Sequence, residues 1–293
     1  MISAWPPLVP PWIMTRMQIA ASAKINLNLR VLGKNDATSY HDLETWMVPL
    51  SLADELRVEL TDTPGIQLTC SDPTLDSDSG NLAWRAAGLF LDETNNSRGA
   101  KIELHKNIPH GAGLGGGSSD AAAVLAALNQ LASLPLTPDR LHHLAAQLGS
   151  DIPFFLGTGA ALARGRGEIL ENRPLPCPLD LLLIKPPFAV ETAWAYGQWD
   201  TAVTVPSRWT APQLHHGLEI CNDLERPVFA KYLILAALKA WLLEHSLVAA
   251  AAMTGSGSCL FVILRDPRGA SQLAAEIKAE FGDTFWTAAC RTA

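Results

Sequence analysis

The front of the chain alternates apolar and polar residues, which is the period of a half-buried β-strand. In the segment KINLNLRVL, every second position is apolar: Ile25, Leu27, Leu29 and Val31. These side chains fall on one face of a strand predicted over residues 19–32. The same reasoning predicts further strands at residues 43–50, 56–60, 66–70, 100–105, 159–163, 179–184 and 259–264.

The middle of the chain follows a helical period instead. Apolar residues three and four apart form a stripe that consists of Ala121, Val124, Leu125, Leu128 and Leu131. A second helix is predicted to begin with Thr137 as its cap and Pro138 at its first position, and to end at Gly149. Further helices are predicted over residues 82–92, 228–246 and 269–281. Strands at the front and helices in the middle predict an α+β fold with two lobes.

Composition and charge narrow the class of protein. Of the 293 residues, 48% are hydrophobic and 17% are charged. This balance is typical of a folded protein with a large core and excludes a disordered chain. The 29 acidic residues outnumber the 22 basic ones, for a net charge of −7. Because nucleic-acid binding normally needs a basic field, we expect no nucleic-acid partner, whereas a local pocket can still attract a small anion.

The cysteines and the hydrophobic runs bear on location. Five scattered cysteines without a C-x-x-C pair predict neither a zinc ribbon nor a thioredoxin-type site, and they fit a reducing compartment. No apolar run has the length of a membrane span, so we expect a cytoplasmic protein without a membrane partner. Residues 1–18, which are rich in proline, are expected to form a loose leader, or to precede a start at Met14 or Met17.

The most specific segment is a glycine-rich loop that runs directly into a predicted helix. Its residues are Pro109, His110, Gly111, Ala112, Gly113, Leu114, Gly115, Gly116, Gly117, Ser118 and Ser119. The glycines let successive N–H groups converge on an anion, and the helix N-terminus adds unpaired N–H groups and its dipole. The two serine hydroxyls suit phosphate oxygens or a hydrated Mg²⁺.

Other glycine-rich loops fit this segment less well. It lacks the Gly-Lys-Ser/Thr ending of a Walker A loop and fits a Rossmann pattern poorly. A flexible linker or a tight structural turn is the remaining alternative. Direct entry into a strong helix favours phosphate binding over a linker.

This loop resembles the signature P-x-G-A/G-G-L-G-G-G-S-S of the GHMP kinases. Three further segments resemble motifs of one family among them, the 4-diphosphocytidyl-2-C-methyl-D-erythritol kinases. These segments are AKINL at residues 23–27 with YHDL at 40–43, LGSDIPFF at 148–155, and MTGSGSC at 253–259. One departure lies at residues 33–39, GKNDATS, where the family has a basic residue and Asp-Gly before Tyr-His.

The resemblance implies a two-lobed α+β fold of the GHMP kinase type, with the active site in a cleft between the lobes. We expect residues 19–170 to form the N-terminal, ATP-binding lobe and residues 171–293 the C-terminal lobe. The implied reaction is ATP-dependent phosphorylation of the C2 hydroxyl of 4-diphosphocytidyl-2-C-methyl-D-erythritol, in the non-mevalonate route to isoprenoid precursors. The implied partner is a small cytidyl diphosphate, and no obligate protein partner is implied.

The resemblance also assigns a catalytic pair. Asp151 would take the proton of the acceptor hydroxyl, and Lys24 would keep Asp151 ionised and stabilise developing negative charge. The glycine-rich loop would bind ATP, and Ser118 would contact Mg²⁺. From the residues alone, Asp151 is favoured as a helix or turn cap and Lys24 as a solvent-facing strand residue. The resemblance favours catalysis for both.

The acceptor residues implied by the resemblance are Asn26, Tyr40, His41 and Tyr196. His41 would hydrogen-bond the edge of cytosine, while Tyr40 and Tyr196 would stack on its ring. The alternative for Tyr196 is an ordinary core or surface aromatic residue. The nearby sequence ARGRGE leaves open whether its two arginines neutralise phosphates or face solvent.

Three rival functions remain. Another GHMP kinase, of the homoserine or mevalonate type, has no need of a base-binding pair such as Tyr40 and His41. A catalytically inactive GHMP-fold binding module is disfavoured because both Lys24 and Asp151 are present. An oxidoreductase that binds a dinucleotide is suggested by glycine content alone.

Overall fold

The structure is a computed structural model that describes residues 15–35, 40–202 and 205–293. Its strands are β1 (Arg16–Lys34), β2 (His41–Thr61), β3 (Ile66–Cys70), β4 (Gly99–His105), β5 (Ala161–Gly165), β6 (Ile169–Asn172), β7 (Asp180–Lys185), β8 (Gln213–His215), β9 (Leu218–Asn222), β10 (Val248–Met253), β11 (Leu260–Leu264) and β12 (Trp286–Arg291). Its α-helices are α1 (Leu82–Glu93), α2 (Gly116–Leu131), α3 (Pro138–Leu148), α4 (Thr192–Gly197), α5 (Ser207–Thr210), α6 (Glu225–Lys231), α7 (Leu233–Glu244) and α8 (Ala270–Phe281). In the described part of the chain, short 3-10 helices span Pro153–Leu156 and Pro267–Gly269. Helices beside mixed sheets confirm the α+β class.

The chain divides into two compact units, each assembled from separate stretches of sequence. The first unit contains residues 15–21, 54–106 and 117–156, and the second contains residues 22–53, 107–116 and 157–293. Strands β1 and β2 and helix α2 therefore have residues in both units. The expected lobes, 19–170 and 171–293, are continuous in sequence, and that boundary stays a prediction.

The first unit contains helices α1, α2 and α3 and a small sheet. β4 pairs antiparallel with residues 55–61 of β2 and parallel with β3. Fully buried residues from helix and strand, among them Phe90, Ile102 and Val124, form its core. Helix α3 starts and ends as predicted: the Thr137 side chain accepts from Arg140 N, and Gly149 follows its last turn.

The second unit contains an antiparallel sheet in the order β10-β11-β7-β12. Apolar residues of this sheet pack against helices α7 and α8 in a core that includes Leu182, Leu238, Val262 and Leu273. In the same unit β1 pairs parallel with β9, and β5 pairs with residues 43–47 of β2.

Several predicted elements need correction. The strands expected at residues 43–50 and 56–60 are one strand, β2, which keeps an extended backbone because it pairs first with β5 and then with β4. The helix expected over 228–246 is two helices, because Tyr232 has φ −106° and ψ 73°, outside the helical region. β1 begins at Arg16, so residues 16–18 of the expected leader belong to this strand.

Two expectations fall partly on other residues. Most of the expected leader, residues 1–14, and most of the turn before Tyr40, residues 36–39, lie outside the described residues. In the part of the chain that the structure describes, no helix combines the length and apolar character needed to cross a membrane.

Candidate active site

Lys24 and Asn26 lie two residues apart on β1, so their side chains leave the strand on the same face. Each residue is 3% exposed. The Lys24 ammonium donates a hydrogen bond of 2.6 Å to Asn26 Oδ1, and Asn26 Nδ2 donates to Thr45 Oγ1 at 2.8 Å. A buried ammonium is costly unless polar groups receive it. The structure therefore excludes the solvent-facing alternative for Lys24.

The glycine-rich loop is attached to the same strand. Leu114 O accepts from Lys24 N at 2.9 Å, and the side chains of Ala112 and Leu114 are buried. The glycines that alternate with these residues have positive φ angles: 63° at Gly111, 73° at Gly113 and 72° at Gly115. This backbone favours glycine because a Cβ would be strained there. Part of the glycine pattern is thus explained by packing.

Gly113 lies against the turn that joins β10 to β11. A Cβ on Gly113 would stand 2.3 Å from Thr254 O. The Thr254 hydroxyl accepts from Asn26 N at 3.0 Å and lies 3.4 Å from both Asn26 Oδ1 and Gly113 O. Thr254 therefore joins the glycine-rich loop to the Lys24–Asn26 pair.

The C-terminal end of the loop becomes the first turn of α2. The first four N–H groups of an α-helix have no partner inside the helix, and neither Gly116 nor Gly117 places a side chain over them. Ser118 is half-buried and Ser119 is buried. Backbone N–H groups with a neighbouring hydroxyl are the donors that phosphate oxygens accept from, so these residues fit a bound phosphate.

Fewer residues of the loop fit Mg²⁺ than fit a phosphate. Among the described residues, no group of three or more His, Cys, Asp or Glu side chains could hold a metal ion. Mg²⁺ commonly keeps several waters and takes most of its other ligands from substrate phosphates. The Ser118 hydroxyl fits as a single hard oxygen ligand of this kind.

Asp120 follows the two serines and is part of a buried ion cluster that the sequence did not predict. Lys106 Nζ lies 2.6 Å from Asp120 Oδ2 and also donates to Asp54. The buried Asp120 Oδ1 has no hydrogen-bond partner among the described residues. Burial raises the pKa of Asp120 to about 7, with Lys106 opposing the shift and Asp54 adding to it. Two carboxyls thus share one ammonium.

Asp151 lies half-buried in the turn between α3 and the 3-10 helix Pro153–Leu156. Ile152 N donates to Gly149 O at 3.2 Å and closes this turn. Asp151 belongs to the first unit, whereas Lys24 belongs to the second. The catalytic role of each stays a prediction.

His41, at the start of β2, contacts two aromatic rings. Its ring centroid is 5.9 Å from that of Tyr196, with a tilt of 30°, and 5.9 Å from that of Trp199, edge to face. His41 Nε2 lies 3.3 Å from Asp200 Oδ2. The structure thus brings together the two predicted acceptor residues His41 and Tyr196. Trp199 and Asp200 were missed because that stretch matches the family motifs only loosely.

The arginines of the ARGRGE segment have partners within the protein. The Arg166 guanidinium lies 4.0 Å above the ring of Tyr40, the geometry of a cation–π contact. Arg164 pairs with Glu44 at 3.0 Å and with Glu171 at 3.1 Å. Arg166 therefore covers one face of the Tyr40 ring, a predicted stacking residue. Tyr40 as a whole is 55% exposed.

Comparison with known proteins identifies the family. Family models described as the N-terminal and C-terminal domains of GHMP kinases match residues 81–159 and 211–283. A 4-diphosphocytidyl-2-C-methyl-D-erythritol kinase from Methylacidiphilum infernorum (isolate V4) is 43% identical over 270 residues, which cover 91% of this chain and 93% of that protein.

Solved structures agree with this result. The crystal structure of a 4-(cytidine 5'-diphospho)-2C-methyl-D-erythritol kinase has a TM-score of 0.77 and 34% identity, over 94% of this chain and 100% of that chain. A homoserine kinase from Cytophaga hutchinsonii has a TM-score of 0.64 and 17% identity, over 96% of this chain and 95% of that chain. That likeness shows the fold alone. The chain belongs to the 4-diphosphocytidyl-2-C-methyl-D-erythritol kinases, a family of GHMP kinases.

Proposed function

We propose that this protein transfers the γ-phosphoryl group of ATP to the C2 hydroxyl of 4-diphosphocytidyl-2-C-methyl-D-erythritol, which gives the 2-phosphate and ADP. The observation that supports this substrate is the contact of His41 with Tyr196 and Trp199. An imidazole edge beside aromatic faces suits a nucleobase, and each stacked base contributes about 1–3 kcal/mol. Homoserine and mevalonate contain no nucleobase.

Asp151 and Lys24 would act on the acceptor hydroxyl. The Asp151 carboxylate accepts the proton of the acceptor hydroxyl as the bond between the hydroxyl oxygen and phosphorus forms. The Lys24 ammonium, oriented by Asn26 Oδ1, stabilises the negative charge that develops there. Asn26 would also bind the acceptor, beside Tyr40.

The glycine-rich loop, residues 109–119, would bind the triphosphate of ATP. Support comes from the first turn of α2, where Gly116 and Gly117 leave the N–H groups open to an anion. Mg²⁺, when bound to the triphosphate, neutralises charge on the phosphate oxygens, and Ser118 would be its protein ligand.

The proposed partner is this small molecule, with neither nucleic acid nor a second protein required. The proposed location is the cytoplasm. All five cysteines are free thiols, which suits a reducing compartment.

The test is ADP release in the presence of Mg²⁺ and ATP, with the cytidyl acceptor compared with mevalonate, homoserine and galactose. Turnover of the cytidyl compound alone supports the proposal, and CMP or CDP should then compete with the acceptor. Turnover of another alcohol would retain the kinase and overturn the acceptor. ATP binding without any turnover would favour an inactive binding module.

A further inference from the structure

A buried polar network surrounds the turn between β10 and β11. The turn contains Gly255, with φ 56°, and Gly257, with φ 91°. Every residue from 254 to 258 is buried. A turn without access to water must satisfy its backbone groups within the protein.

Asn222, the last residue of β9, binds the turn on both sides of Thr254. Its Nδ2 donates to Met253 O at 2.7 Å and to Gly255 O at 2.8 Å. Its Oδ1 accepts from Leu224 N at 2.9 Å, which fixes the orientation of the amide. The backbone on either side of Thr254 is therefore held by one oriented side chain.

Glu225 also holds the backbone of Met253, through its N–H group. Its Oε1 accepts from Met253 N at 2.9 Å, and its Oε2 accepts from Lys239 Nζ at 2.6 Å. Both charged side chains are completely buried. Burial of an ion pair contributes little to stability relative to apolar residues of similar volume. The pair is thus better explained by the geometry that it imposes on Met253 than by the stability that it adds.

Thr254 transmits this geometry to β1. Its hydroxyl accepts from Asn26 N, and Asn26 Oδ1 receives the Lys24 ammonium. Hydrogen bonds, together with the covalent backbone from Met253 to Thr254 and within Asn26, thus connect Lys239 through Glu225 and the turn to Lys24. All of these residues belong to the second unit.

We propose that Asn222 and Glu225, with Lys239 as the counter-charge of Glu225, are positioning residues for phosphoryl transfer, which hold Thr254 and, through Asn26, set the place of the Lys24 ammonium. This inference rests on the proposed function in one respect, the catalytic role of Lys24. A displacement of about 1 Å in a reacting group can lower turnover by about 100-fold. Loss of the support should therefore lower kcat while the KM values for ATP and acceptor change little.

Two double variants separate geometry from charge. Glu225→Gln with Lys239→Met removes both charges but keeps a carbonyl acceptor for Met253 N–H. Glu225→Met with Lys239→Met removes the acceptor as well, at similar volume. We expect the Gln/Met variant to keep kcat within about twofold and the Met/Met variant to lose about tenfold or more. Asn222→Ala should resemble the Met/Met variant.

A readout without substrate keeps this test independent of the reaction. The Asn26 N–H donates to Thr254 Oγ1, so its hydrogen exchange reports directly whether the turn is in place. The control is Leu273→Ala, a core variant of the same unit that is chosen for a similar loss of Tm. The exchange rate of the Asn26 N–H should be about tenfold higher or more in the Met/Met variant than in this control. Wild-type exchange and wild-type kcat in a folded Met/Met variant would overturn the proposal.

A coupling measurement tests the path itself. In an Asn26→Ala background, the Met/Met change should reduce kcat by much less than in the wild type, because the Asn26 Oδ1 contact with the Lys24 ammonium is already lost. Additive losses would show that the network acts elsewhere and would overturn the proposal. If the wild type turns over a different alcohol, the proposed acceptor fails and kcat is measured with that alcohol. If it turns over none, Asn26 exchange alone decides.

Discussion

The Lys24 ammonium lies 2.6 Å from Asn26 Oδ1, and both residues are almost inaccessible to water. The amide cannot rotate without losing its second hydrogen bond, because Asn26 Nδ2 donates to Thr45 Oγ1. Asn26 Oδ1 is therefore a fixed acceptor that helps to hold the Lys24 ammonium in one place, as a group that stabilises developing charge requires.

Lys24→Met should remove turnover and leave the fold intact. We expect kcat to fall by about 100-fold or more, because an oriented charge at the reacting atoms is lost. The Tm should fall modestly while the protein stays folded, since the buried Asn26 Oδ1 loses the donor that Lys24 supplies. Kinetics and thermal unfolding check both outcomes, with the partly exposed Lys101 changed to Met as control. Wild-type kcat in Lys24→Met would remove this residue from the mechanism.

Asp151→Asn should separate binding from chemistry. The substitution keeps the size of the side chain but removes its capacity to accept a proton, so turnover should fall by about 100-fold or more. ATP affinity, measured by calorimetry, should stay close to that of the wild type. Unchanged turnover would show that Asp151 serves as a turn residue, the alternative that its sequence context offers.

Gly113→Ala should destabilise the protein, whereas Gly117→Ala should not. At Gly113 the new Cβ meets Thr254 O at 2.3 Å on a backbone with φ 73°, so we expect a loss of about 1–3 kcal/mol or more. At Gly117 the nearest atom outside its own chain neighbours is Leu82 Cδ1 at 3.7 Å. Alanine is favoured there by up to about 1 kcal/mol. Urea unfolding measures both changes.

The same pair of variants tests the two roles of the glycines. If phosphate oxygens approach the start of α2, Gly117→Ala should raise the KM for ATP although the protein is no less stable. A KM unchanged in Gly117→Ala would contradict phosphate binding at this turn and leave packing as the reason for the glycine pattern.

Local patterns in the sequence predicted the local structure. The alternation from Ile25 to Val31 became a strand with those residues buried, and Thr137, Pro138 and Gly149 delimit α3. Local pattern failed for β10, because its run of alanines has little strand preference. It failed for β8 and β12 as well, which are short or carry no regular alternation.

The buried ion pairs could not be predicted because their partners are distant in sequence. Lys106 meets Asp54 and Asp120, and Glu225 meets Lys239, only in the folded chain. One signal was available: Lys239 interrupts the otherwise apolar helix segment LILAALKAWLL, and a lysine in such a segment needs a buried partner. The sequence motifs located the glycine-rich loop and His41. Only the structure showed that Trp199 lies beside His41.

Stability should depend on pH through Asp120. Its pKa is raised from 3.8 to about 7, chiefly by burial, so between these values the folded state holds a proton that the unfolded state releases. The free energy of unfolding therefore falls as pH rises from about 4 to about 7, by up to about 4 kcal/mol from this group alone. Asp120→Asn mimics the protonated form. The stability of this variant relative to wild type should rise over the same range, and a constant difference from pH 4 to 8 would contradict the shift.

His41→Ala should weaken acceptor binding far more than ATP binding. The imidazole contacts Tyr196 and Trp199, and loss of a base contact worth about 1–3 kcal/mol corresponds to a rise of about 5- to 150-fold in the KM for the acceptor. The KM for ATP should change by less than about twofold. His143→Ala, on the exposed face of α3, is the matched control and should behave as wild type. Inhibition by CMP should weaken in His41→Ala to the same extent as acceptor binding, because both ligands would use the same base contact. Equal losses for ATP and acceptor would contradict a cytosine site at His41.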